Sequence, residues 1–265
     1  MNDAPRLQRQ HGEARKQLRP ESRLDAPSLA RLSAQLQAEG VPTPRCHADG
    51  ERRLRYRWID AVSARTEYSD EVAGGDLHWP PSATLAELLP PLVALHRART
   101  DPAPPLLDPG WRIDERLADT RDDELDRCWQ RLRAAWQPWV DAVVHGDFHL
   151  GQLLLLQPPR HGVQLIDLED CASGPPEFDL GNFAAHLATA ATTFNPERYQ
   201  QLLTRVSAAY QQAGGRHVNQ QRLAYCGQIC LLRRYLKQRA AQPDTPPLTL
   251  RRWLLETPVI EFFAG

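Results

Sequence analysis

The 265-residue sequence predicts an α+β fold, with a small strand-and-helix unit ahead of a mostly helical body. Three observations lead there. Residues 14–59 combine short, partly alternating runs with one amphipathic helical stretch. From about residue 67 onward, apolar residues recur at helical spacing in several long stretches. Inside that helical body, residues 153–166 change texture to two short apolar runs around a turn, which is a hairpin signal. An apolar content of 42% is enough to bury a core, in one large domain or two small lobes.

Taken in order, residues 14–18 read as a short strand. A helix is expected over 24–39, with Leu29, Leu32 and Leu36 on one face and Gly40 as its stop. Val41-Pro42-Thr43-Pro44 cannot be helical and leads toward a second strand over 52–59. A helix over 85–98 aligns Leu88, Leu92 and Leu95. Another over 122–139 aligns Leu125, Cys128, Leu132, Ala135, Trp136 and Trp139, with both tryptophans expected in the core. The hairpin pairs 153–156 with 163–166 across a turn at 158–162. Asp179 is suited to cap a helix that runs to about Thr192. Further helices are expected over 196–213 and 219–239. Proline-rich breaks at 80–81, 102–105 and 243–247 read as loops.

Composition excludes several classes. A net charge of -1 leaves no bulk electrostatic footprint for nucleic acid or an anionic membrane. No apolar run reaches membrane-spanning length, and residues 1–20 are polar without a signal-peptide core, so a cytoplasmic location is expected. The five cysteines are scattered and lack C-x-x-C spacing, which argues against a disulfide framework and a structural zinc site. Cys226 and Cys230 fall on an apolar helical pattern and are expected to be buried. Cations are nearly all arginine. Lys16 and Lys237 are the only lysines, so each merits attention.

The chemistry-bearing residues flank the hairpin. His145-Gly146-Asp147-Phe148-His149-Leu150-Gly151-Gln152 opens it, and Ile166-Asp167-Leu168-Glu169-Asp170 closes it. A hairpin brings its two ends together, so Asp147, Gln152 and Asp167 can converge. Phosphoryl transfer needs a carboxylate to orient the attacking hydroxyl and hard oxygen ligands to hold magnesium on the nucleotide phosphates. Kinase catalytic loops provide an Asp, four residues and an Asn, with a second Asp beyond a hairpin. Here Asp147, four residues and Gln152 match the first part, and Asp167 the second.

This stretch resembles the aminoglycoside phosphotransferase family, and its loop is most similar to that of bacterial maltokinases. The resemblance implies a protein-kinase-like two-lobe fold. Residues 1–62 would form a truncated N-terminal lobe, and residues 63–265 a helical C-terminal lobe carrying the catalytic hairpin at 143–170. It implies ATP and Mg2+ as cofactors and a small-molecule hydroxyl as acceptor. Asp147 would be the catalytic base, Gln152 and Asp167 the magnesium ligands. Gln152 keeps the amide oxygen of the family's Asn on an arm one methylene longer. The segment Gly174-Pro175-Pro176-Glu177-Phe178-Asp179-Leu180-Gly181 also resembles the family, where the Asp braces the catalytic loop by hydrogen bonds.

On the nucleotide side the pattern departs from the family, which begins with two strands and a phosphate-covering loop before the lysine strand. Few residues precede Lys16, and Gly12 is isolated. The resemblance would make Lys16 the phosphate-binding lysine, favoured by order and spacing, with Val41-Pro42-Thr43-Pro44 similar to the family's V-P-x-P segment; the alternative is a plain surface lysine. The helix after Lys16 lacks a mid-helix glutamate to hold it; Glu21 lies before it and Glu39 at its end. Of the remaining polar residues, His145 and His149 read as hydrogen-bonding partners within the loop. Glu169 would either assist the metal or face solvent, and Asp170 reads as a turn residue. Glu169, Asp170 and Glu177 would suit a cationic acceptor, whereas the maltokinase-like loop suggests a sugar. Two alternatives stay open. One is a pseudokinase or interaction subunit, which needs a protein partner to complete the N-terminal lobe. The other is zinc ligation by His145, Asp147 and His149, with His161 or His186 as further ligands.

Overall fold

The computed structural model describes residues 7–10, 12–69, 81–158, 161–190 and 193–259. Pro80, the tip of the expected hairpin turn at 159–160 and the expected helix end near Thr192 lie outside the described residues.

The N-terminal part is a four-stranded antiparallel sheet with one helix. Strands β1 (Leu7–Gln10), β2 (Glu13–Gln17), β3 (Cys46–Ala48) and β4 (Arg53–Arg57) lie in the order β1-β2-β4-β3. Lys16 sits on β2, opposite Leu54 of β4. Helix α1 (Ala26–Ala38) starts where Asp25 accepts a 2.8 Å bond from Ser28 N–H, and it buries Leu29, Leu32 and Leu36. Capping of this kind satisfies an otherwise unpaired first-turn amide. After Gly40 the prolines of residues 41–44 keep the chain extended, and Pro42 O accepts a 2.7 Å bond from Leu165 N–H. That bond ties the N-terminal unit to the hairpin at 153–165.

The hairpin is as expected: β7 (Leu153–Leu156) pairs with β8 (Val163–Leu165). A third strand, β5 (Ala61–Ser63), extends the sheet by pairing with β7. Helix α2 (Ala64–Glu67) follows β5 directly. A two-stranded ribbon of β6 (Ala142–Val144) and β9 (Ala172–Gly174) brackets the hairpin and its flanking segments on either side. The sequence reading contained neither β1, β5 nor this ribbon.

Two expected helices differ in extent. The stretch over 85–98 is two helices, α3 (Ser82–Leu88) and α4 (Pro90–Arg97), because Pro90 and Pro91 can begin a helix but cannot continue one. Helix α5 (Ile113–Thr120) comes next. The stretch over 122–139 is α6 (Asp123–Ala135), capped by Asp122. Trp136 and Trp139 lie beyond its end. They are partly buried and pack against the core rather than in it, with Trp136 stacked on Tyr225 at 6.2 Å between ring centroids.

Helix α7 (Pro176–Ala190) is buried nearly all round, as a central helix must be. Around it pack α8 (Pro196–Gln212) and α9 (Gln220–Ala241), while α10 (Leu248–Glu256) packs on α9 and α6. Helices α7 and α9 cross at Gly181 and Gly227. A Cβ on Gly181 would lie 2.8 Å from Gly227 N, so the close approach depends on glycine. Beyond this crossing, α9 carries Arg233 to the catalytic loop. Cys226 and Cys230 are buried, as expected.

Candidate active site

Asp179 organises the catalytic loop. Its carboxylate accepts bonds from His145 N–H at 2.6 Å and Gly146 N–H at 2.9 Å, and lies 3.0 Å from His96 Nε2 on α4. It is fully buried, and this set of partners offsets the cost of burying a carboxylate. The bracing expected from the family resemblance is therefore visible. The capping role is not, because α7 begins at Pro176 and Asp179 lies inside its first turn.

Gly146 makes the turn into Asp147. Its φ is +79°, and a Cβ there would fall 2.3 Å from Asp170 O. His145 fastens the loop to the far end of the hairpin. Asp147 N–H donates to His145 Nδ1 at 3.3 Å, which leaves the ring proton on Nε2 to donate to Ile166 O at 2.8 Å. Phe148 is buried against Phe183, 5.1 Å between centroids. Asn182 Nδ2 donates to Phe148 O at 2.9 Å.

The hairpin brings Gln152 and Asp167 together. Gln152 Nε2 donates to Asp167 Oδ2 at 3.1 Å. Asp167 has left-handed backbone, φ +67°, a strained conformation for a residue with a Cβ. Lys16 reaches over from β2 to pair with the other Asp167 oxygen, and its Nζ lies 3.1 Å from Glu169 Oε2. Burial would raise the Asp167 pKa, but the charge and hydrogen bond of Lys16 outweigh it and hold the carboxyl below its usual value.

Glu169 and Asp170 occupy positions the sequence did not disclose. Glu169 is buried, not solvent-facing, and pairs with Lys16 and Arg19. Asp170 is buried between Arg19 at 2.9 Å and Arg112 at 3.8 Å. Burial keeps its pKa above the usual carboxylate range.

A cleft of ≈ 390 Å³ opens between the N-terminal sheet and the hairpin. Ala14, Cys46, Trp58, Ile59, Leu154 and Ile166 give it apolar walls, while Lys16, Gln152 and Asp167 supply clustered polar groups. An apolar pocket with a few convergent polar groups is the usual form of a small-molecule or cofactor site.

Asp147 faces a different set of residues. Its Oδ1 is 4.0 Å from Arg233 NH2, and ligand-capable atoms of Asp147, His149 and His186 lie within 4.8 Å of one another. Burial of Asp147 is overcome by Arg233 and the nearby histidines, so its pKa is held far below the usual range. His149 and His186 stack at 4.3 Å. Burial lowers His149 to about 4 and drives His186 well below the ordinary imidazole value, so both rings are neutral at pH 7.

The zinc alternative does not fit this geometry. Gly151 N–H donates to His149 Nδ1 at 2.9 Å, so the neutral ring carries its proton on Nε2. A neutral imidazole held that way has no lone pair left for a cation. His145 uses both ring nitrogens within the loop.

All four residues singled out from the sequence, Lys16, Asp147, Gln152 and Asp167, thus lie around one hairpin. Sequence reasoning missed Arg19, Asn182 and Arg233, and named His186 only as a further zinc ligand. Asn182 carried a usable signal, since it lies three residues after Asp179 on one helix face. The arginines carried none.

The phosphotransferase enzyme family (APH) matches residues 6–226. In structure, the chain is similar to a choline/ethanolamine kinase family protein from Mesorhizobium loti, with TM-score 0.61 and 16% identity over 95% of this chain and 85% of that one. It is also similar to a choline kinase from Streptococcus pneumoniae, with TM-score 0.57 and 12% identity over 94% and 88% of the two chains. In sequence, 70 residues are 39% identical to methylthioribose kinase from Exiguobacterium sibiricum; they make up 26% of this chain and 17% of that protein.

Proposed function

The chain belongs to the phosphotransferase enzyme family, and from that premise we propose that it is an ATP- and magnesium-dependent kinase of a small-molecule hydroxyl. The observation that carries the proposal is the cluster of Asp167, Gln152 and Lys16 at the apolar cleft, one short loop away from Asp147.

In this reading the cleft takes the nucleotide. Apolar walls suit an adenine ring, and Lys16 supplies positive charge for phosphates. Asp167 and Gln152 offer magnesium a carboxylate and an amide oxygen, the hard donors it prefers. When bound, magnesium would neutralise charge on the phosphates. Gln152 would have to turn its oxygen toward the ion, since its nitrogen now faces Asp167. Glu169 and Arg19 position Lys16 and Asp167 from outside the cleft.

Asp147 takes the acceptor side. The acceptor oxygen forms a bond to the γ-phosphorus while the bond to the β-phosphate oxygen breaks and ADP leaves. The hydroxyl proton passes to Asp147 and then to solvent. A carboxyl with so low a pKa is a weak base, so its main contribution is to orient the hydroxyl, with proton transfer late in the step. Arg233 and Asn182 fix the loop that carries it: Arg233 NH1 donates to Gly146 O at 3.2 Å, and Asn182 holds Phe148 O.

The test is ADP release and product mass with ATP, Mg2+ and a panel of small alcohols. Phosphorylated product that disappears with Asp147→Asn and with removal of magnesium supports the assignment. One observation favours a noncatalytic reading. Only two residues link β1 to β2, so this connection does not supply a long loop over the phosphates. Under that reading, ATP–magnesium binds only when a protein partner is added.

A further inference from the structure

The only two lysines divide between the two sides of the site. Lys16 belongs to the cleft. Lys237 lies on α9, one turn beyond Arg233, and is exposed. Residues four apart on a helix share a face, so Arg233 and Lys237 point the same way, with Arg234 beside them. Arg116 on α5 joins the group, with its NH1 donating to Arg233 O at 3.4 Å. Arg234 is held at the same place by a 3.2 Å bond to Thr189 Oγ1 on α7. Arg233 lies 4.0 Å from Asp147.

Among the described residues, these cations outnumber their anionic neighbours. Asp147 is the carboxylate at their centre, and Glu115 is the neighbour of Arg116 on the outside. The other acidic residues that could welcome a cationic acceptor are committed elsewhere. Glu169 is paired with Lys16 and Arg19, and Asp170 with Arg19 and Arg112. Glu177 accepts a 3.0 Å bond from Asn219 N–H and lies 3.8 Å from Arg222. Partial desolvation beside neighbouring side chains, then the repulsion of a nearby arginine, lowers the pKa of both Arg116 and the otherwise solvent-accessible Lys237. Such mutual repulsion is relieved when an anion enters, and a cleft of one sign concentrates ligands of the other.

We infer that the phosphoryl acceptor is an anionic alcohol, which presents its hydroxyl to Asp147 and its carboxylate or phosphate to Arg116, Arg234 and Lys237. This deepens the kinase reading and rests on it. It also replaces the cationic acceptor considered from the sequence, because the acidic residues that suggested one are already paired.

The test uses the full chain with ATP and Mg2+ and a matched panel: D-glucose, D-gluconate, D-glucose 6-phosphate, D-ribose, D-ribose 5-phosphate, D-glucosamine and choline. An anionic member should exceed its neutral and cationic counterparts in kcat/KM by about tenfold or more. The arm that responds, gluconate or the sugar phosphates, identifies the anion. The double variant Arg116→Gln with Lys237→Gln should raise KM for that acceptor about tenfold, with kcat changed less than about threefold and KM for ATP unmoved. A neutral or cationic acceptor preferred over its anionic counterpart overturns the inference. So does a chain that binds ATP–Mg2+ in calorimetry yet phosphorylates no anionic member. Absence of ATP–Mg2+ binding instead defeats the kinase reading, and this inference with it.

Discussion

Lys16 Nζ lies 3.1 Å from Glu169 Oε2, although Lys16 lines the cleft, Glu169 lies outside it and the two are far apart in sequence. Glu169 thereby does what a mid-helix glutamate on α1 would otherwise do: it holds the lysine over the site. It is buried and shares Arg19 with this duty, so its position is constrained from both sides. Removing one partner of a buried charged network leaves the others poorly compensated.

Glu169→Gln should therefore weaken nucleotide handling without abolishing it. The expected change is a rise in KM for ATP of about threefold to thirtyfold, corresponding to the loss of one partly buried ion pair. Steady-state kinetics at varied ATP checks this. An unchanged KM would show that Lys16 does not need Glu169.

Asp147→Asn should lower kcat by about a hundredfold or more, with little loss of stability. Because the Asp147 carboxyl is held far below the usual range, it is ionised throughout pH 5–8. Any acid limb of the pH–rate profile in that interval belongs to another group, and the wild-type profile should show none that disappears in Asp147→Asn.

Asp179→Ala should be severely destabilising. It leaves the His145 and Gly146 amides buried without their acceptor, at about 1–3 kcal/mol each. Urea unfolding should show a lower midpoint with an unchanged slope. Asp179→Asn keeps one acceptor oxygen and should lose less.

The catalytic hairpin was legible because its residues are contiguous and their chemistry is distinctive. Asp147, Gln152 and Asp167 sit at its two mouths, and the turn and apolar runs between them are local signals. Lys16 was legible because so few lysines compete with it. Arg233 was not, because an arginine on a helix in an arginine-rich chain looks like any solvated charge. Its role arises only from the crossing of α7 and α9 at Gly181 and Gly227. His186 likewise acquires meaning only when α7 packs it on His149. The strands β5, β6 and β9 are too short for a periodic signal and depend on tertiary pairing. Pro90 and Pro91 were visible in the sequence, and their effect on the helix over 85–98 should have been read from them.

The stacked histidines make acid stability sensitive to this site. The His149 pKa is about 4 in the folded protein and about 6.5 in an unfolded chain, so the unfolded state binds more protons between those values. Stability is then complete above about pH 6.5 and falls as pH drops toward 4, by up to on the order of 3 kcal/mol from this group. His149→Phe should flatten that part of the pH–stability curve. Denaturant unfolding of both proteins between pH 4 and 7 is the check, and parallel curves would contradict the assignment.

Calorimetry of ATP with and without Mg2+ on the purified protein tests whether Lys16, Gln152 and Asp167 form a magnesium–nucleotide site. The account predicts magnesium-dependent binding, with ATP at a hundredfold excess over its dissociation constant stabilising the fold by about 2.7 kcal/mol. Binding should be lost in Asp167→Ala, weakened in Lys16→Ala and unaffected in Lys237→Ala. Absence of ATP–Mg2+ binding up to several millimolar (on the order of 4 kcal/mol or less of affinity), or binding that survives Asp167→Ala intact, would contradict it.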